Sequence, residues 1–222
     1  MPGLGRHDRL VEDLAGRLES VRPLPGPAVR AALWLGAALL LGLALACRPG
    51  AAALAAGLGS RMGVPDLAAA ALGAVLTAMT ASYAAFAISV PGRPAALALL
   101  PLPAAVLWIG ASGLGCLRGR LAPGTDLPDA NEMQGCFDFL VCVSAPLSVL
   151  MTVMLARACP LRPVLTAALA GLAVSAAAAA LLVPFHPHDA TATDLVVHAG
   201  VVAAVIGVNA LAGGRLLALR LG

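Results

Sequence analysis

Six long apolar stretches, separated by short polar or turn-forming segments, dominate this chain of 222 residues. They cover residues 29–47, 67–90, 95–116, 137–156, 164–183 and 195–213. Each has about the 20 residues that an α-helix needs to cross roughly 30 Å of hydrocarbon. None alternates apolar and polar positions as barrel strands do, and the bilayer core has no water to satisfy unpaired backbone groups. The pattern therefore predicts an all-α, polytopic membrane protein, a bundle of six transmembrane helices.

The residues before the first apolar stretch form a separate, more polar segment. Over residues 7–21 the apolar positions recur at the spacing of three and four residues that marks one helix face. These positions are Leu10, Val11, Leu14, Leu18 and Val21. Asp8 is a suitable N-cap, and the prolines at positions 23, 25 and 27 stop the helix before the first span. The pattern predicts a short amphipathic N-terminal helix.

Two interpretations of this amphipathic helix stay open. The segment is too polar and acidic for a signal peptide and has no suitable cleavage site, so we expect it to be retained. Its polar face carries charges of both signs, including Arg9, Glu12 and Asp13, whereas a helix bound to anionic lipid is more purely basic. It is either an interfacial or self-packing segment, or a helix that docks its apolar face into a groove on a partner protein.

Charged residues are scarce and unevenly placed along the chain. They make up 11% of the residues, with 60% hydrophobic and a mean hydropathy of +0.94, whereas soluble domains carry about 25% charged residues. All 14 basic residues are arginine, as is typical of GC-rich bacterial genomes. With the N-terminus inside, ten arginines lie in inner segments and four in outer ones. The positive-inside rule then predicts a multi-pass protein of the bacterial inner (cytoplasmic) membrane with both termini cytoplasmic.

These features divide the chain into three parts. Residues 1–27 are a cytoplasmic segment with the amphipathic helix, residues 28–214 a six-helix transmembrane domain, and residues 215–222 a cytoplasmic tail. Membrane lipid is an expected partner of the transmembrane domain, and we expect no direct contact with nucleic acid. The patterns do not determine the oligomeric state.

Thiol, imidazole and carboxylate side chains gather at the predicted outer side of the membrane. They are Cys116 and Cys136 at facing ends of the third and fourth spans, His186, His188 and Asp189 after the fifth, and His198 inside the sixth. Thiolate and imidazole ligands together suit Zn, Cd or Cu, so a transient metal ion is the one cofactor that we consider. Two other interpretations stay open: a disulfide between Cys116 and Cys136 in the oxidising envelope, or cysteines that fill apolar space beside a hydrophilic turn.

Two other classes of membrane protein fit the sequence less well. A small multi-pass transporter is expected to show an internal repeat and paired Gly or Pro interruptions, and we find no convincing repeat. A membrane thiol-redox protein is expected to carry a CxxC pair, which does not occur in the sequence. The sequence also lacks a phosphate-binding loop and a helical HExxH motif. We therefore expect a protein that is not an enzyme.

Several stretches occur in an order and spacing that point to one family. They are "DRLVEDLAGRLESVRPLPGP" leading into "AALWLGAALL", then "FAISVPGRPAALALLPLPAAVLWIG", "GLGCLRG", "GCFDFLVCVSAPL", "ACPLRPVLTAALAGLAVSAAAAALL", "FHPHD" and "LVVHAG". Through them the chain resembles the NrsF family, the negative-regulator-of-sigma-F proteins. Members of this family are bacterial multi-pass anti-sigma factors for extracytoplasmic-function sigma factors. The likeness runs through most of the chain.

The resemblance implies a function and residues that perform it. A cytoplasmic N-terminal segment would hold the sigma factor away from RNA polymerase until an envelope signal arrives, and here that segment is the helix with Leu10, Val11, Leu14, Leu18 and Val21. Family members carry outer cysteines implicated in response to metals or oxidants. Cys136 matches the one near the start of the fourth span, and His186 stands where the last outer loop would have the other. The departure at His186 argues against a simple switch of two thiols.

Overall fold

The structure is a computed structural model that describes residues 5–17, 23–46, 64–121, 130–185 and 192–219. Within these residues the chain is helical and has no strand. Six of the helical segments in this part of the chain are long and apolar enough to cross a membrane. The predicted fold class, an all-α polytopic bundle of six spans, is confirmed, and the chain fits a multi-pass membrane protein.

The helices follow the order of the apolar stretches. They are α1 (Arg6–Gly16), α2 (Pro27–Ala46), α3 (Pro65–Ile88), α4 (Leu102–Leu121), α5 (Ala130–Ala156), α6 (Pro163–Leu182), α7 (Ala192–Val208) and α8 (Gly214–Ala218). A 3-10 segment, Ala95–Leu99, precedes α4, and another, Val183–Phe185, follows α6. A π-helical segment, Asn209–Gly213, joins α7 to α8, so that these three pieces form the sixth span.

Proline sets several helix starts, because it lacks the N–H that the first helical turn does not use. Pro65 and Pro163 open α3 and α6. The third span differs from its prediction: it starts with the 3-10 segment, and the α-helix begins only at Leu102, after Pro101. The fourth span starts at Gln134, three residues earlier than predicted, within a helix that begins at Ala130. The sixth continues through α8 to Ala218, into the predicted tail.

Helices α3 and α6 form the centre of the bundle. In the most hydrophobic stretch of α3, 61% of the residues are buried, and in that of α6, 56%. In the sixth span only 11% are buried. The two central helices pack against each other, and both carry alanines with no exposed surface, including Ala81, Ala84, Ala173 and Ala176. Small side chains let helix backbones approach closely, which favours association where lipid is as apolar as leucine.

Two glycines permit close approaches between helix backbones. A Cβ at Gly73 of α3 would lie 2.6 Å from the backbone nitrogen of Trp108 in α4. A Cβ at Gly171 of α6 would lie 2.7 Å from Cα of Ile206 in α7. Only a residue without a side chain fits at either crossing.

Contacts between helix ends show that consecutive spans run in opposite directions. Arg30, near the start of α2, bonds to Ser89 after α3 and to Met154 near the end of α5. At the other membrane face, Phe139 near the start of α5 meets Phe185 after α6, with ring centroids 5.2 Å apart. We call these the Arg30 face and the Cys136 face. The last residues before α2 therefore lie at the face opposite Cys136.

Candidate functional site

Helix α1 presents an uncovered apolar stripe. Leu10, Val11 and Leu14 are 56%, 66% and 57% exposed. The predicted N-cap was wrong: Gly5 is the N-cap, and Asp8 lies in the first turn, where its carboxylate accepts a hydrogen bond of 3.0 Å from the Gly5 amide. The carboxylate caps the helix by reaching backward, as the acidic residue of a capping box does.

The C-terminal part of the predicted helix differs from the prediction. Helix α1 ends at Gly16, a residue of low helix propensity, and Arg17 is its C-cap. Leu18 and Val21, predicted to extend the apolar stripe, lie outside the described residues. On the polar side, Arg17 and Asp13 form an exposed ion pair at 2.9 Å, and exposed pairs stabilise a helix little. The described apolar stripe thus consists of three residues with no covering side chain.

Arg30 fixes the start of α2 to two other spans. Its guanidinium donates hydrogen bonds to the Met154 carbonyl and, at 3.4 Å, to the Ser89 hydroxyl. It also lies 4.5 Å from the centre of the Phe86 ring, a cation–π contact. Only 4% of Arg30 is exposed, and within the described part of the chain no carboxylate pairs with it. The contacts instead satisfy an orphan carbonyl at the end of α5 and place a cation at the negative end of that helix.

A second hydrogen bond joins α2 to α5 at greater depth. The indole Nε1 of Trp34 donates to the Leu147 carbonyl at 3.2 Å, and Trp34 is fully buried. Helix α5 therefore carries Cys136 near one end and is held by α2 at the other. Arg30 and Trp34 were not among the predicted site residues. The available signal was an arginine inside an apolar span, where ionisable groups are rare and tend to mark function.

At the Cys136 face, only part of the predicted sensor group is described. Cys136 is buried, Cys116 and His198 are half-buried, and Cys116 and Cys136 are not joined by a disulfide. His186, His188 and Asp189 lie outside the described residues. Among the described residues no three His, Cys, Asp or Glu side chains form a metal site. The metal site, which needs the undescribed histidines, stays a prediction.

One aromatic contact joins the end of the fifth span to α5 near Cys136. Phe185 directly precedes His186, and its ring packs against Phe139, one helical turn from Cys136 on α5. Phe185, the last residue described before residue 186, therefore lies beside the part of α5 that carries Cys136.

Comparison with known proteins identifies one family. The model of the NrsF family, described as negative regulator of sigma F, matches residues 14–218, nearly the whole chain. The match begins inside α1 and includes all six spans. No curated protein and no solved structure matches the chain.

Proposed function

The chain belongs to the NrsF family, the negative regulators of sigma F, and from this premise we propose that it is a membrane-bound anti-sigma factor. Its partner would be an extracytoplasmic-function sigma factor, bound by α1 and the residues that follow, including Leu18 and Val21. The exposed stripe of Leu10, Val11 and Leu14 carries this proposal, because an amphipathic helix with an uncovered apolar face suits a groove on a partner protein. A regulator of this kind needs no catalytic group.

The proposed orientation puts the Arg30 face in the cytoplasm of a bacterium. Arg30 and the arginines at 93, 157, 162 and 215 lie at this end of the bundle, by the alternation of the spans. Arginine-rich loops stay on the cytoplasmic side of the inner membrane. Helix α1 then meets a sigma factor in the cytoplasm, while Cys136 faces the envelope.

Co-purification tests whether the N-terminal segment holds the sigma factor. We expect the full chain, extracted from membranes in mild detergent, to recover a co-expressed sigma factor, and a chain lacking residues 1–27 to recover almost none. A chain lacking residues 220–222, at the other terminus, is the matched control and should behave like the full chain. Equal recovery by the full and N-terminally shortened chains would remove the proposed role of the segment.

We propose that release begins at the Cys136 face. A metal ion held by Cys136 and His186, with Cys116, His188, Asp189 or His198 as further ligands, or oxidation of the thiols, would move the start of α5. Helix α5 is bonded to α2 through Leu147 and Met154, so a shift of α5 is transmitted to the start of α2. Pro23, Pro25 and Pro27 stiffen the connection toward α1. The signal would thereby change how α1 is presented to the sigma factor.

Replacing Cys136 by serine tests the sensor. We expect sigma-dependent transcription to lose at least about nine-tenths of its induction by cadmium or chromate, because serine is a poor ligand for soft metals and cannot be oxidised as a thiol. The measurement is a reporter gene under a sigma-dependent promoter. Cys142→Ser is the matched control, since this exposed thiol lies six residues further along α5. An unaltered response in Cys136→Ser would leave Cys136 as a packing residue.

A further inference from the structure

A long groove runs between α5 and the sixth span. Its volume is about 830 Å³. It extends from Phe137 and Val197 near the Cys136 face to Val153 and Leu216 toward the Arg30 face. Volumes of about 300–1,000 Å³ with mostly apolar walls are typical of small-molecule sites between helices. None of the residues proposed above for binding sigma factor or metal lines this groove.

A few polar side chains interrupt the apolar wall. Ser144, Ser148 and Thr152 recur every fourth residue on α5 and so lie along one helix face. Opposite them, Asn209 donates from Nδ2 to the Ser148 hydroxyl at 3.0 Å and to the Val205 carbonyl at 2.8 Å. Asn209 is the first residue of the π-helical segment, and such segments in helices occur frequently at functional sites.

Ser144 is the odd member of this polar stripe. It is 97% buried, since only 3% of it is exposed, and its hydroxyl has no hydrogen-bond partner in the described structure. Two buried hydroxyls elsewhere in the spans bond to the preceding turn: Thr77 to the Gly73 carbonyl at 2.7 Å and Ser175 to the Gly171 carbonyl at 2.8 Å. The Thr166 hydroxyl of α6 also has no partner in the described structure, but Thr166 does not line the groove. A buried hydroxyl without a partner destabilises the protein in a medium without water. After rotation of its side chain, the Ser144 hydroxyl would donate a hydrogen bond to an acceptor on a molecule bound in the groove. That hydrogen bond would remove the destabilisation.

The depth of Ser144 in the membrane limits which class of molecule can occupy the groove. It lies ten residues after Gln134 and twelve before Ala156 in the fourth span, so about 15–18 Å from either end at 1.5 Å per residue. Phospholipids keep their polar groups at the interface, far from this depth. A second copy of the chain is also disfavoured, because two concave surfaces related by a two-fold axis do not fill each other. The occupant must carry its acceptor into the middle of the membrane.

We propose that this groove binds an uncharged lipophilic molecule with a carbonyl acceptor, of the chemical class of the membrane quinones. Its apolar body lies along Val141, Val149 and Val201, and a carbonyl oxygen accepts the hydrogen bond from Ser144. The amide of Asn209, held by Ser148, lines the same part of the groove and fixes the width between the two spans. The role is binding only, and it is independent of whether α1 binds a sigma factor.

Fluorescence of Trp34 reports on binding. The chain has two tryptophans, so the variant Trp108→Phe leaves Trp34, which bonds to α5 at Leu147, between Ser144 and Ser148. With the full chain in lipid nanodiscs, we expect a decyl-substituted benzoquinone to quench this fluorescence saturably. Ser144→Ala in the same background should weaken apparent binding by about five- to tenfold, the effect of one lost hydrogen bond. Ser175→Ala, which removes a hydroxyl outside the groove, should leave binding unchanged.

A large side chain that fills the groove tests the proposal independently of Ser144→Ala. Ala204→Phe should abolish saturable quenching without altering the polar stripe, since Ala204 is exposed and lines the groove. Quenching that is unsaturable, or unaffected by both groove variants, would overturn the proposal. Equal quenching by phospholipid brominated at mid-chain, again insensitive to Ser144→Ala, would show ordinary lipid in the groove and overturn it too. A Val149→Cys variant that cross-links two copies would show a second chain there, with the same consequence.

Discussion

Replacing Leu10 and Leu14 together by aspartate is expected to reduce the affinity for the sigma factor by at least about 100-fold. The two side chains lie four residues apart on one face of α1 and are 56% and 57% exposed. Burying a leucine side chain in an interface contributes about 1.5–3 kcal/mol, and two such losses correspond to roughly two to four orders of magnitude in Kd. The substitution also places two carboxylates in the apolar contact, which adds a desolvation cost.

The matched control lies on the polar face of the same helix. Asp13→Ala with Arg17→Ala removes the exposed ion pair, and it should change Kd by less than about threefold, because such pairs contribute about 0–1 kcal/mol. Kd is measured by biolayer interferometry with the chain in nanodiscs and purified sigma factor in solution. Both variants should insert into the membrane as the wild-type chain does, since neither alters a buried residue. A double aspartate variant that binds as tightly as the control would contradict docking through the apolar stripe.

Gly73→Ala is expected to lower the Tm of the chain in detergent by about 5–10 °C. The new methyl group would lie 2.6 Å from the Trp108 nitrogen and 2.7 Å from its Cα, and neither backbone atom can move alone. Helices α3 and α4 must separate, which for overpacked cores costs about 1–3 kcal/mol. For a protein of this size each kcal/mol shifts Tm by about 2–4 °C. Fluorescence-detected size-exclusion chromatography after heating measures the shift.

Gly110→Ala is the control for this stability prediction. Gly110 is also on α4, but no heavy atom lies within 4 Å of a Cβ built there. We expect its Tm to stay within about 4 °C of the wild type and not to fall below it, since the methyl group meets only open space and alanine raises helix propensity by about 1 kcal/mol or less. Similar Tm values for the two alanine variants would show that α3 and α4 do not cross tightly at Gly73.

Much of the fold was predictable because membrane insertion depends on local composition. A run of about 20 apolar residues predicts a membrane span regardless of the residues around it, so all six spans were predicted. The spacing of apolar residues alone also predicted the stripe with Leu10 and Leu14. Span ends were less accurate. Helix α5 begins at Ala130, four residues before the span Gln134–Ala156 that it contains, because a helix can continue past the hydrocarbon boundary.

The packing of those spans was decided only by the tertiary structure. In lipid, a helix face against protein and a face against acyl chains are equally apolar, so no periodic pattern marks the buried side. Ala176 is fully buried in α6 and Val196 is 72% exposed in α7, although both lie in uniformly apolar runs. The partners of Arg30, the crossing at Gly73 and the unsatisfied hydroxyl of Ser144 all depend on which helices are neighbours. The sequence by itself determined what enters the membrane, and the tertiary structure decided which surfaces meet there, because the contacts that pair helices are made between residues far apart in the chain.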